Sequence, residues 1–164
     1  MRFVVDVMLG RLARWLRLLG FDVVYHPDAQ DEQLIAIAEA EERTLLTKDA
    51  RLLRDRRVNG YLVRSTRWEE QLREVIAEFR LSPLIRAFTR CPECNAPLVD
   101  VDRESVRSHV PRKVYEQQRA FYRCPGCARL YWAGTHVERM SRKIEELVES
   151  VGDRPFAERT DEVQ

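Results

Sequence analysis

Four cysteines fall into two pairs, Cys91-Pro-Glu-Cys94 and Cys124-Pro-Gly-Cys127. A Cys-x-x-Cys pair wraps two thiolates around one ion, and two such knuckles complete a tetrahedral sulfur site of the kind that holds zinc. The 29 residues between the pairs exceed the common spacing of about 15 to 20. The arm must therefore carry a strand or helix of its own, as in an embellished zinc ribbon. Four thiolates close the coordination sphere and leave no open position for chemistry, so the zinc is read as structural and neither His109 nor His136 is needed. Two disulfides, or four inert thiols, are the competing readings. They fit poorly with an N-terminus that meets Asp6 and then a row of arginines before any signal-peptide core could form.

The second set of reactive residues is acidic. Asp6 sits in the apolar run Phe3-Val4-Val5-Asp6-Val7, where a carboxylate is costly to bury unless it is paired or bound to metal. Asp49 follows Leu45-Leu46-Thr47-Lys48, and Asp28, Asp31 and Glu32 crowd the start of a helix. Three or four carboxylates meeting at one place would hold a hard ion such as Mg²⁺ or Mn²⁺, which activates water and neutralises a phosphodiester. Each acid also has a structural alternative. Asp28 or Asp31 could cap the helix, Asp49 could cap the short helix after it, and Asp6 could pair with Arg11, Arg14 or Arg17. Those arginines form a stripe that either faces water or meets phosphate. Arg14, Arg17 and Lys48 are the candidate phosphate contacts.

The elements that must position these groups follow from periodicity. Residues 2–7 and 21–25, Thr44-Leu45-Leu46-Thr47 and Tyr61-Leu62-Val63 read as strands. Between them, helices are predicted over 9–19, stopped by Gly20, and up to about Glu42 on the stripe Leu34, Ile35 and Ala38. A short helix is expected over 51–54, and Trp68, Leu72, Val75, Ile76 and Phe79 mark a longer one. Alternating strands and helices predict an α/β fold with a mostly parallel sheet. Asp6 and Asp49 map to the carboxyl ends of its strands, where open α/β sheets place their functional crevice, and the helix that Asp28, Asp31 and Glu32 open should begin on the same side. The alternation stops at Ser82-Pro83. Beyond it come short strands around the knuckles, a helix near 111–118 and a last helix over about 136–148. The domains read as 1–82, 88–150 and a frayed tail over 151–164.

With 164 residues, 45% of them hydrophobic, the chain can bury a core as one soluble domain with a small satellite. No apolar run is long enough to span a membrane, and a cytoplasmic setting is expected. The net charge of +1 offers no global funnel for nucleic acid, so a polyanion site must be local. Only Lys48, Lys113 and Lys143 are lysines, and arginine supplies 25 of the 28 cationic side chains. Acyl transfer, nucleotide-driven work and dinucleotide redox chemistry lack their motifs.

The segments Asp6-Val-Met-Leu-Gly-Arg-Leu-Ala-Arg-Trp-Leu-Arg-Leu-Leu-Gly-Phe-Asp22, Asp31-Glu-Gln-Leu and Leu45-Leu-Thr-Lys-Asp49, followed by the knuckles and Tyr131-Trp132-Ala-Gly-Thr-His136, resemble the Mut-seven C-terminal RNase family, a PIN-like nuclease domain. The resemblance runs over about residues 1–145. It implies a PIN-like three-layer sandwich joined to a C-terminal zinc ribbon, and metal-dependent cleavage of RNA. By that resemblance Asp6, Asp31 and Asp49 are the catalytic, Mg²⁺- or Mn²⁺-binding acids. The fourth acid that PIN nucleases carry after the next strand has no counterpart in Arg64-Ser65-Thr66. A single ion or a Ser/Thr ligand would then serve. A non-catalytic RNA- or ribosome-associated binder on the same scaffold, or a PIN-type toxin, are the alternatives, and the oligomeric state is left open.

Overall fold

The computed structural model describes residues 1–151. Strand β1 (Arg2–Val5) is built from the first apolar run, and its alternation sends Phe3 and Val5 to one face and Val4 to the other. Both faces are buried, as a parallel strand covered on two sides requires. Strands β2 (Asp22–Val24), β3 (Thr44–Thr47) and β4 (Gly60–Leu62) complete a parallel sheet of order β2-β1-β3-β4. Helix α1 (Gly10–Leu18), entered through a 3-10 turn at Val7–Leu9, and helix α3 (Trp68–Glu78) cover the Phe3 face. Helix α2 (Asp31–Ala40) covers the other, with Leu34, Ile35 and Ala38 against Val4 and Leu45. The expected α/β architecture with helices on both faces of a parallel sheet is observed.

Gly20 ends α1 as its position suggested. Its N–H reaches Arg17 O and the next N–H, of Phe21, reaches Leu16 O, a Schellman closure that needs a left-handed residue. Gly20 takes φ +94°, and a Cβ there would lie 2.2 Å from Arg86 O. The segment after α3 crosses at this point, its Arg86 and Phe88 N–H groups bonding the last carbonyls of α1, Leu19 O and Leu18 O.

The cysteine region forms a second sheet, antiparallel, from β5 (Val99–Val101), β6 (Phe121–Arg123) and β7 (Leu130–Trp132). The long arm between β5 and β6 holds the short helix α4 (Arg112–Gln117). Helix α5 (Thr135–Val151) then packs back on α3, burying Ile144 and Leu147 in the Phe3-face core, and Arg73 Nε donates to Ser150 Oγ at 2.8 Å. Apart from Val151, the tail expected over 151–164 lies outside the described residues. Among the described residues no helix is long and apolar enough to cross a membrane.

The first knuckle also closes the open edge of the parallel sheet. An edge strand presents unpaired backbone groups. On β2 the outward Val23 N–H donates to Asn95 Oδ1 at 2.9 Å, and Val23 O accepts from Arg17 Nε at 2.9 Å. Arg17 continues to Pro92 O and Glu93 O, while Asn95 Nδ2 donates to Asp22 Oδ1 at 2.7 Å. Asn95 has φ +73°, which makes glycine the substitution that removes only the side chain. Asn95→Gly should destabilise the protein by about 1–3 kcal/mol, measured by urea unfolding. Stability equal to the parent's would show that the knuckle does not brace β2.

Candidate functional site

The order of the parallel strands reverses between β1 and β3, since β2 lies on one side of β1 and β3 on the other. At such a switch point the carboxyl ends of the strands leave a crevice. Asp6 follows β1 there. It is 6% exposed, its N–H donates to Leu46 O, and its Oδ2 accepts from Thr47 Oγ1 at 2.7 Å. The arginine partner considered from the sequence is not found, because no cation lies within ion-pair distance of Asp6 among the described residues.

Thr47 serves two acids. Its Oγ1 also accepts the Asp49 N–H at 2.9 Å, so one hydroxyl fixes both the Asp6 carboxylate and the backbone from which Asp49 projects. The Asp49 carboxylate is gripped by Arg51, with Nη2 at 2.6 Å and Nε at 2.9 Å from Oδ2, and it accepts the Arg51 N–H on Oδ1. These Arg51 bonds hold its pKa below the ordinary carboxylate value. The Arg51 guanidinium is in turn held protonated above its usual value, chiefly by Asp49 and in smaller part by the field of Asp31. Asp31 stands exposed in the first turn of α2. The helix is entered through Gln30, whose N–H donates to Gln33 Oε1 at 2.8 Å, so the cap considered at Asp28 or Asp31 is corrected to this pair. Arg51 thus pairs directly with Asp49 and feels Asp31 only through its longer-range field. The three acids do not converge as tightly as the cysteines. Among the described residues only the cysteine quartet brings three or more potential ligand atoms within 4.8 Å of one another.

The expected phosphate contacts are placed differently. Arg17 is buried at 6% exposure and bonds backbone carbonyls of β2 and the first knuckle, so its assignment to solvent or phosphate is corrected to a structural one. Arg14 pairs with Glu93 at 3.0 Å. A three-residue step on a helix keeps both on one flank, and the knuckle meets that flank, burying Arg17 while Arg14 stays exposed. Lys48 donates to Ser65 O at 2.8 Å. A cavity of about 610 Å³ beside the turn after β2, lined by His26, Pro27, Asp28 and Ile37 among others, includes none of Asp6, Asp31 and Asp49.

Sequence reasoning missed Thr47, Arg51 and Glu74. The Thr-x-Asp spacing was the available signal for Thr47, and Arg51 two residues after Asp49 was the signal for the grip. Glu74 had none, because nothing in its position on α3 announces the donors it meets. It is 2% exposed and accepts from Tyr61 OH at 3.1 Å, Arg64 N at 2.8 Å and Ser65 N at 2.9 Å. Burial alone would raise its pKa, but these donors lower it. The carboxylate nearest to where a fourth acid was sought is therefore engaged in holding the loop over 64–66.

The cysteines form the other centre. Cys91 and Cys127 Sγ are 3.6 Å apart and Cys94 and Cys124 Sγ 3.1 Å, far beyond a disulfide bond of about 2.05 Å. The edge of a zinc–thiolate tetrahedron is about 3.8 Å given Zn–S bonds of about 2.3 Å. The two knuckles repeat one backbone device: Cys91 N bonds Ala96 O and Asn95 N bonds Cys91 O, while Cys124 N bonds Arg129 O and Ala128 N bonds Cys124 O. Gly126 lets the knuckles meet, since a Cβ there would lie 3.1 Å from Cys94 Sγ. Burial pushes the Cys91 thiol up, but the Tyr131 hydroxyl at 3.0 Å and nearby backbone N–H groups bring it down to about 7. The quartet could bind a metal such as zinc, and it contains no histidine.

A parallel α/β sheet with acids at its carboxyl edge, braced by a module of four clustered cysteines that could bind a metal such as zinc, defines the class: an α/β protein with a small cysteine-knuckle module. The family model of the Mut7-C RNAse domain matches residues 1–144, and the chain belongs to that family. No curated protein and no solved structure matches the chain.

Folding lowers the pKa of Glu74, so its stabilisation is complete above the ordinary value of 4.5 and is lost as pH falls through the folded value. Glu74→Gln should cost about 1–3 kcal/mol at neutral pH, and the gap to the parent should narrow as pH falls from about 5 to 3. Urea unfolding across that range checks it. Parallel stability curves would contradict the assignment.

Proposed function

We propose that the chain is a metal-dependent ribonuclease with a PIN-like domain over residues 1–82 and a structural zinc ribbon within 88–150. The observation that carries this reading is the buried Asp6 carboxylate. Among the described residues it has one hydroxyl donor and no cation partner, at the sheet's switch point, in a chain of an RNAse family. Asp6, Asp31 and Asp49 are the residues that would hold Mg²⁺ or Mn²⁺. Such an ion supplies Lewis-acid stabilisation of the phosphodiester's developing charge and lowers the pKa of water.

The donor set fits a hard cation: Asp6 leaves Oδ1 free of the Thr47 bond, and Asp31 and Asp49 already share the field of one cation, Arg51. Thr47 orients Asp6 and Asp49 together, so neither has to reorganise its backbone as charge develops. Arg51 must release Asp49 for that carboxylate to ligate. Its guanidinium is then placed to meet a substrate phosphate. Lys48, with one ammonium hydrogen on Ser65 O, keeps two donors for the same purpose. RNA is the proposed partner and the cytoplasm the proposed setting.

One observation favours a second reading, a non-catalytic RNA- or ribosome-associated binder. The three acids do not form a tight cluster, and Glu74, the acid nearest the missing fourth position, is fully engaged. Cleavage of end-labelled single-stranded and structured RNA in Mn²⁺ separates the two. The nuclease reading predicts cutting that is lost in chelator and in Asp6→Asn/Asp49→Asn, with about one zinc per chain retained. No cutting by the parent, with RNA still bound in chelator, would establish the binder.

A further inference from the structure

The carboxyl edge of the sheet carries an aromatic stack at the margin of the core. Trp15 on α1 and Trp68 at the start of α3 lie face to face, ring centroids 4.7 Å apart and planes 14° from parallel. The Arg11 guanidinium sits 4.7 Å from the centre of the Trp68 ring. Both indoles are half-buried, while the sheet-facing residues of the same helix, Leu12, Ala13 and Leu16, are sealed.

The stack stands on elements that the chain joins closely to the acids. Arg11 stands in the first turn of α1, and Met8, between Asp6 and Arg11 in the chain, is 71% exposed. Trp68 follows the loop over 64–66, which Glu74 and Gln71 hold from α3 and which Lys48, the neighbour of Asp49, holds through Ser65 O. Arg11, Arg64 and Arg67 are exposed. None of them joins an ion pair among the described residues, and neither do Glu69 and Glu70 in the first turn of α3. Of the arginine stripe on α1, Arg14 and Arg17 are drawn to the knuckle, and Arg11 alone turns to this side.

An accessible indole flanked by unpaired guanidinium groups matches the chemistry of an unstacked nucleobase between phosphates. We propose that Trp68 is a stacking platform for an unpaired base of single-stranded RNA, with Arg11, Arg64 and Arg67 contacting the adjacent phosphates. The proposal takes its substrate class from the ribonuclease reading and adds the strand state and the side of approach. Arg11 does not block the platform. An exposed cation–π contact is worth about 2- to 5-fold in an equilibrium, against about 5- to 150-fold for a base stacked on an aromatic side chain. The base displaces the guanidinium and frees it for phosphate. A duplex presents no unstacked base and cannot use the platform.

The test is anisotropy of a fluorescein-labelled single-stranded oligouridylate titrated with the full chain in chelator. Trp68→Ala should weaken binding about 5- to 150-fold, whereas Trp68→Phe, which keeps an aromatic face, should stay within about 3-fold of the parent. Intrinsic tryptophan fluorescence should be quenched on binding in the parent, with that quench reduced in Trp68→Phe. Arg64→Ala/Arg67→Ala should lower the slope of log K against log salt by about 0.7 for each phosphate that is no longer neutralised. Affinity for an RNA duplex should not change in Trp68→Ala. No binding by the parent, equal weakening in the Ala and Phe variants, or an equal weakening on duplex would overturn the platform. RNA bound through Trp68 but left uncut in Mn²⁺ would overturn the ribonuclease reading and leave the platform standing. RNA bound and cut equally by the parent and Trp68→Ala would do the reverse.

Discussion

A carboxylate buried at the end of a central parallel strand must be matched, and here a single hydroxyl supplies the match. Thr47 Oγ1 donates to Asp6 and accepts from the Asp49 N–H. It ties the ends of β1 and β3 together at the place where the strand order reverses. Because the hydroxyl's one hydrogen goes to Asp6, the direction of both bonds is fixed, and the polar pair is rigid within an otherwise apolar sheet end. The strands on which this depends are sealed on both faces, by α1 and α3 on one side and α2 on the other. A shift of β3 by one residue would exchange Leu45 with Leu46 across the sheet and move Thr47 away from Asp6. Core packing and acid placement are therefore one constraint.

The cysteine module joins the same network from the opposite edge. Its first knuckle supplies Asn95 and the carbonyls of Pro92 and Glu93 to β2 and Arg17, and Asn95 meets Asp22. Arg43 also holds Asp22, at 2.8 Å, and together these bonds overcome burial and lower the pKa of its carboxyl. Strand β2 leads to the turn that delivers Asp31, so bracing β2 also fixes the start of α2. Helix α5 closes the circuit by returning from the ribbon to α3. The cysteine module is in this way a brace for the α/β domain as well as an appendage of it.

Much of this was legible in the sequence. Short apolar runs and period-3.6 apolar stripes located the strands and helices through α3, Gly20 marked the end of α1, and the knuckle spacing announced the cysteine quartet. Asp6 and Asp49 were found because carboxylates at the ends of apolar strands are conspicuous. Other features depend on how elements dock, which periodicity does not encode. Arg17 read as part of a stripe facing water or phosphate because nothing in α1 reveals that a knuckle some 75 residues later buries it, whereas Arg14 is exposed and pairs with Glu93 of that knuckle. Glu74 was not singled out, because its donors are the Tyr61 hydroxyl and two backbone N–H groups of a loop. The last helix was expected over about 136–148, but nothing in the sequence named α3 as the element it meets.

The proposed chemistry requires that the end of β1 hold a hard cation. Electron paramagnetic resonance of Mn²⁺ titrated into the zinc-loaded chain measures that directly. The expected result is a protein-bound Mn²⁺ population in the parent that disappears in Asp6→Asn while the zinc content stays the same. Mn²⁺ that remains free with the parent, or that binds Asp6→Asn equally well, would contradict it.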